Sequence, residues 1–146
     1  MSDVRPEPEL DPEVLQGLLR GVEEFNQGKY FECHETLEEI WRGIRGPARD
    51  LFQGLIQVSV GFYHLRNGNL RGGESQLKKG LAKLSGFGDR YLGMDLADLR
   101  REIHAWLERV GSGELIVGSG LTAPKYRYTP PLPFEGNAAR DPVDND

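Results

Sequence analysis

The amino-acid sequence predicts a single all-α domain of about five helices, followed by an extended, proline-rich C-terminal segment. Apolar residues recur at helical spacing in five stretches, and Gly, Pro or Asn residues stand at the ends of these stretches. The length of 146 residues, with 38% apolar side chains, suits one domain with a substantial core. We therefore expect a flexible N-terminus over residues 1–10, a helical domain over 11–112, an extended strap over 113–136 and a disordered tail over 137–146.

The first two predicted helices each bury one face. Helix one begins at Asp11-Pro12, where Asp11 is the N-cap and proline occupies the first helical position. It ends before Asn26-Gln27-Gly28. Helix two begins at Tyr30, runs to Ile44 and ends before Gly46-Pro47. The two apolar stripes predict that both helices pack on the same core.

The third predicted helix is central, because its apolar residues point in every direction. It covers residues 49–65. Helix four covers 70–84, has one apolar and one basic face, and ends at Gly86-Phe87-Gly88. Helix five covers 92–110 and ends at Gly111-Ser112-Gly113.

The residues after helix five predict an extended strap. Pro130-Pro131-Leu132-Pro133 favours polyproline geometry, which no helix or central strand accommodates. Tyr126, Tyr128 and Phe134 are large side chains that are costly to leave in water. We therefore expect these three rings to hold the strap against the helices.

An internal repeat appears when the chain is compared with itself at an offset of 40 residues. The comparison aligns Gly21 with Gly61, Phe25 with Leu65, Gly28 with Gly68, Tyr30 with Leu70, Cys33 with Gly73 and Leu37 with Leu77. Each unit is a helix, a turn containing glycine and a second helix. These units resemble tetratricopeptide hairpins, in which the inner glycine and the turn glycine are also seven residues apart. The resemblance implies two helical hairpins, with helix five as a cap.

A second resemblance covers residues 20–85. It is carried by Phe25-Asn26-x-Gly28-x-Tyr30-Phe31-Glu32-x-His34-Glu35-x-Leu37-Glu38-x-x-Trp41, Gly46-Pro47, Leu51-Phe52-Gln53-Gly54-Leu55-Ile56-Gln57, Gly68-Asn69 and Lys79-Gly80-Leu81. This pattern is similar to the prokaryotic family known as domain of unknown function 309. The resemblance implies a compact all-helical fold and implies no particular activity.

Polar residues on helices two and three form the candidate site. They are His34, Glu38 and Trp41 on helix two and Gln53, Gln57 and His64 on helix three. An amide buried without a partner costs about 1–3 kcal/mol, so we expect these groups to satisfy one another. The favoured interpretation is a non-catalytic binding or scaffold protein with a polar pocket between the two helices, for an unidentified protein or small polar ligand. The polar cluster itself is interpreted first as a network that fixes helix register, ahead of a bound metal or another small polar ligand.

A metal-dependent hydrolase is the enzyme alternative. His34 and Glu38 are four residues apart on one helical face, and His64 would complete a His₂Glu ligand set for zinc or manganese. Glu35 would then be the general base, as in the H-E-x-x-H metalloproteases.

A nucleic-acid binder is the second alternative. Residues 42–90 hold nine Lys and Arg against three Asp and Glu, and the candidate contacts are Arg66, Arg71, Lys78, Lys79 and Lys83. The formal net charge of −5 and the lack of aromatic residues between these cations argue against this function.

The remaining features indicate a cytoplasmic protein that does not enter membranes. The single cysteine, Cys33, cannot form an internal disulfide, and we expect a buried, unreactive thiol. The longest apolar-rich run without charges, residues 51–65, is shorter than the approximately 20 residues that span a bilayer. We expect Glu35, Glu39 and His104 on the surface. Assembly into a homo-oligomer stays open.

Overall fold

The computed structural model describes residues 7–112 and 125–126, and five α-helices dominate this part of the chain. The helices are α1 (Pro12–Asn26), α2 (Tyr30–Trp41), α3 (Ala48–Arg66), α4 (Leu70–Leu84) and α5 (Leu96–Gly111). The all-α prediction is confirmed. The predictions for the strap other than residues 125–126, and for the C-terminal tail, lie outside the described residues.

The helices form two antiparallel hairpins, α1–α2 and α3–α4, which are joined where α2 packs on α3. Helix α3 is the central one, as predicted, and Leu51, Phe52, Leu55 and Val58 on it are fully buried. Helix α5 packs on α4. Among the described residues, no helix is both long enough and apolar enough to cross a lipid bilayer.

The two hairpins have the same turn, as the repeat predicts. Gly28 and Gly68 have φ angles of +80° and +83°, a conformation that glycine adopts without strain. The backbone N–H of each glycine donates to the carbonyl three residues earlier, at Phe25 in the first hairpin and Leu65 in the second. The internal repeat is therefore also a repeat of local structure.

Close contacts at glycines hold each hairpin together. A Cβ added to Gly21 would lie 2.7 Å from a methyl carbon of Leu37, and one added to Gly61 would lie 2.8 Å from Leu77. These two contacts occupy equivalent positions in the repeat. In the second hairpin, a Cβ on Gly80 would lie 2.7 Å from Val58 and 2.9 Å from the carbonyl oxygen of Gly54. The backbones are so close at Gly80 that no side chain larger than hydrogen fits there without a shift.

Helix α2 ends three residues earlier than predicted. Its last residue is Trp41, and Ile44 is buried beyond the helix end. The guanidinium of Arg49 donates to the carbonyl oxygens of Trp41 and Ile44, at 3.1 and 2.9 Å. Arg49 thus provides partners for carbonyls that continued helix would otherwise have satisfied.

The predicted start of helix five at Leu92 is wrong. A two-stranded antiparallel hairpin, Arg90–Tyr91 paired with Met94–Asp95, precedes α5. Leu92 and Gly93 form its turn with φ angles of +50° and +82°, as expected for a tight two-residue hairpin turn. Leu92 is buried, so its apolar character fits the hairpin as well as a helix. The cap of α5 is Asp95, whose side chain accepts from the N–H of Asp98 at 2.9 Å.

Tyr126 is the strap ring that the structure describes, and it lies in the core with 2% of its surface exposed. This ring packs against Phe25 of α1. Tyr128 and Phe134 lie outside the described residues.

We expect Gly80→Ala to lower the free energy of unfolding by about 1–3 kcal/mol, because the new methyl group would press on Val58 and on the Gly54 backbone. Gly111→Ala is the matched control, because Gly111 is also helical and a Cβ there meets nothing within 4 Å. Urea denaturation of both variants measures the difference. Equal stability of the two variants would show that the close α3–α4 contact contributes little.

Candidate functional site

Four rings form a continuous cluster across α2 and α3, which we call the aromatic seam. They are Phe31 and His34 on α2 and Tyr63 and His64 on α3. The Phe31 ring centroid lies 5.5 Å from that of His34 and 5.3 Å from that of Tyr63, and the Tyr63 and His64 centroids are 6.0 Å apart. Phe31 is 45% exposed. The seam therefore presents an apolar ring to solvent, supported by its neighbours.

His34 and Glu38 interact across one helical turn, as their spacing predicts. The His34 Nε2 atom lies 3.8 Å from Glu38 Oε1, and the two side chains are 23% and 40% exposed. The His34 Nδ1 atom is buried and has no hydrogen-bond partner in the described part of the chain. Glu38 also lies 3.7 Å from the guanidinium of Arg42.

His64 is on the same seam but does not join this pair as a third metal ligand. Its Nδ1 atom lies 3.4 Å from Asn69 Nδ2, beside the turn between α3 and α4. Within residues 7–112 and 125–126, no group of three or more His, Cys, Asp and Glu side chains is arranged to hold a metal ion. His34, Glu38 and His64 thus lie in one region without forming the predicted ligand set.

Glu35, the predicted general base, is exposed and faces another part of the molecule. It lines a cleft of about 340 Å³ between α1 and α2, together with Glu24, Glu32 and Glu39. The prediction that Glu35 and Glu39 are on the surface is confirmed, and the same holds for His104.

The hydrogen bonds expected of Trp41 and Gln57 between helices two and three are not formed among the described residues. Trp41 Nε1 and Gln57 Oε1 are buried without hydrogen-bond partners among the described residues. The Trp41 ring is covered by the guanidinium of Arg49, at 4.1 Å from the ring centroid. Gln57 lines a cleft of about 400 Å³ with Lys79 and Lys83 of α4, and Gln53 is half-buried.

A buried polar contact between α2 and α3 joins Cys33 and Ser59, a pair that the sequence pattern does not predict. The Cys33 Sγ and Ser59 Oγ atoms are 3.2 Å apart, and Ser59 Oγ donates to the Leu55 carbonyl at 2.8 Å. Burial raises the pKa of the Cys33 thiol to about 12, so the thiol stays protonated at neutral pH. The expectation that Cys33 is buried is confirmed. A serine within an apolar helix does not by itself indicate a partner, so the sequence offers little evidence for the contact between Ser59 and Cys33.

Local partners occupy much of the basic face proposed for nucleic-acid binding. Arg66 stacks over Tyr30 at 4.5 Å and donates to the Gly28 carbonyl. Lys78 pairs with Glu74 at 3.2 Å, and Lys83 lies 3.5 Å from Asp50. Arg71 and Lys79 are exposed.

These features define the class of protein: an all-α protein of two equivalent hairpins, a capping helix and an aromatic seam. The sequence model of the family described as "Domain of unknown function (DUF309)" matches residues 8–76, so this part of the chain is similar to that family. This confirms the resemblance seen in the sequence. The matched segment contains the whole aromatic seam.

Two relatives are similar to this chain. An "Uncharacterized protein" of Aquifex aeolicus (strain VF5) is 28% identical over 87 residues, which cover 59% of this chain and 25% of that protein. "Uncharacterized protein YpuF" of Bacillus subtilis (strain 168) is 31% identical over 94 residues, which cover 60% of this chain and 54% of that protein. The chain thus spans a quarter of one relative and about half of the other.

We expect zinc or manganese to change the melting temperature no more in the wild-type protein than in the His64→Ala variant, because His64 does not converge with His34 and Glu38. A ligand that binds only the folded state raises stability as RT ln(1 + [L]/Kd). A melting series with each ion, on protein purified without chelator, measures this. If a metal ion raises the melting temperature of the wild-type protein and His64→Ala abolishes this increase, the result would support the three-ligand metal site.

Proposed function

We propose that the protein is a non-catalytic binding protein that uses the aromatic seam to hold a segment of another protein. The observation that carries this proposal is the exposure of Phe31, at 45%, beside rings that fix its position. Large exposed apolar side chains with such support are typical of recognition surfaces, where a few anchors supply most of the binding energy.

The charge around the seam indicates the chemistry of the partner. Helix α2 carries four acidic residues: Glu38 lies beside His34 of the seam, and the exposed Glu32, Glu35 and Glu39 line the neighbouring cleft between α1 and α2. Charge complementarity favours a segment that places an apolar residue on Phe31 and Lys or Arg residues beside α2.

The arrangement supports binding more than hydrolysis. A hydrolase would need a third ligand beside His34 and Glu38, and His64 contacts Asn69 instead. Glu35 lines the cleft toward α1, so it is not placed as a base for a reaction at His34.

Photo-crosslinking in the native cells tests the proposal. The crosslinker benzoyl-phenylalanine replaces Phe31 in one full-length protein and His104, an exposed residue of α5, in the control. We expect a discrete adduct from position 31 and none from position 104. Absence of an adduct at position 31, or the same adduct at both positions, would contradict a partner that docks on the seam.

Affinity measurements on the captured partner complete the test. We expect Phe31→Ser to weaken binding at least about tenfold, a loss of about 1.4 kcal/mol. Leu19→Ser is the matched control, because Leu19 is similarly exposed, at 39%, but lies on α1. Equal effects of the two changes would show that general surface hydrophobicity, and not the seam, holds the partner.

A further inference from the structure

Tyr126 occupies a pocket formed by α1 and α3. Its ring stacks on Phe25, with centroids 3.6 Å apart and an interplanar angle of 4°. Its hydroxyl donates to the carbonyl oxygen of Leu55 at 3.1 Å. With 2% of the residue exposed, the pocket encloses the whole side chain and supplies a partner for its one polar group. We call the site formed by Phe25, Asn26, Leu55 and Ser59 the Tyr126 pocket. Ser59 takes part through its hydrogen bond to the Leu55 carbonyl.

Asn26 binds the main chain of the same residue. The backbone N–H of Tyr126 donates to Asn26 Oδ1 at 2.7 Å, and the Tyr126 carbonyl accepts from Asn26 Nδ2 at 3.0 Å. One side-chain amide thus satisfies both main-chain groups of one residue, as a residue on a neighbouring antiparallel strand does. This contact recognises the backbone and would be available to any residue that is presented in the same way.

The residues that line the pocket belong to helices α1 and α3 and not to the strap. Phe25, Asn26 and Leu55 lie within residues 8–76, which match the family, whereas Tyr126 lies outside this range. Ser59 Oγ also donates to the Leu55 carbonyl, so this buried acceptor keeps a partner when the tyrosine leaves. The pocket can therefore be vacated without leaving this carbonyl unsatisfied.

We propose that the Tyr126 pocket is a recognition site for an extended peptide segment that carries tyrosine, and that residues 125–126 are its displaceable intramolecular ligand. Main-chain pairing for affinity and a side-chain pocket for specificity are the two components of extended-peptide recognition. The Leu55 carbonyl gives the site its preference for tyrosine over phenylalanine, because only the phenol donates a hydrogen bond there. The site is separate from the aromatic seam.

Peptide binding by the full-length protein tests this proposal. The probe is a fluorescein-labelled synthetic peptide with the sequence of residues 121–131, and the control is the same peptide carrying the Tyr126→Ala change. We expect the Tyr126→Ala protein to bind the probe at least about tenfold more tightly than the wild type, whose pocket is filled. The control peptide, and the protein with Asn26→Ala added to Tyr126→Ala, should lose this binding. Equal binding by wild type and Tyr126→Ala, or no binding by folded Tyr126→Ala, would overturn the proposal.

A measurement on the wild-type chain covers the case in which Tyr126→Ala fails to fold. Tyrosines are replaced by 3-fluorotyrosine, and the Tyr126 signal is assigned by comparison with Tyr126→Phe in ¹⁹F NMR spectra. Unlabelled probe peptide should move this signal toward the position of solvent-exposed fluorotyrosine, and the control peptide should not. A signal that stays unmoved as the probe is raised to its solubility limit would show that Tyr126 is a fixed part of the core.

Discussion

The close approach of paired helices at glycine residues is the constraint on which the rest of the structure depends. Leu37 fills the space above Gly21 in the first hairpin, and Leu77 fills the space above Gly61 in the second. A side chain at either glycine would require Leu37 or Leu77 to shift from its present position. Because α3 packs on both α2 and α4, its position fixes how the two hairpins meet.

Both proposed binding sites follow from this placement of α3. Near its C-terminal end, α3 places Tyr63 against Phe31 of α2, and this contact creates the aromatic seam. Its middle turn directs the Leu55 carbonyl toward Tyr126, in the pocket bounded by Phe25 of α1. A shift of α3 by the width of one methyl group would separate the groups that each site requires.

The sequence determines the helices more completely than the sites. Glycine and proline punctuation located the five helices, and the 40-residue repeat anticipated that Gly21 and Gly61 would have equivalent roles. Periodicity shows which face of a helix is apolar, but not which neighbouring helix covers each residue. The side chain of Gln57 on α3 was expected to contact α2, but it lines a cleft with residues of α4. Leu92 matched helical spacing while lying in a hairpin turn. The Asn26 contact with Tyr126 joins residues 100 positions apart, and local sequence patterns do not predict such a pairing.

A double-mutant cycle at Gly61 and Leu77 tests the central claim most directly. Alone, Gly61→Ala should cost about 1–3 kcal/mol of unfolding free energy and Leu77→Ala about 2–5 kcal/mol. In the double variant, the new methyl group enters the space that Leu77 vacates, so the combined loss should be smaller than the sum by at least about 1 kcal/mol. The equivalent pair, Gly21 and Leu37, should couple with the same sign. Additive losses at both pairs would contradict the claim that glycine–leucine contacts set the distance between the helices.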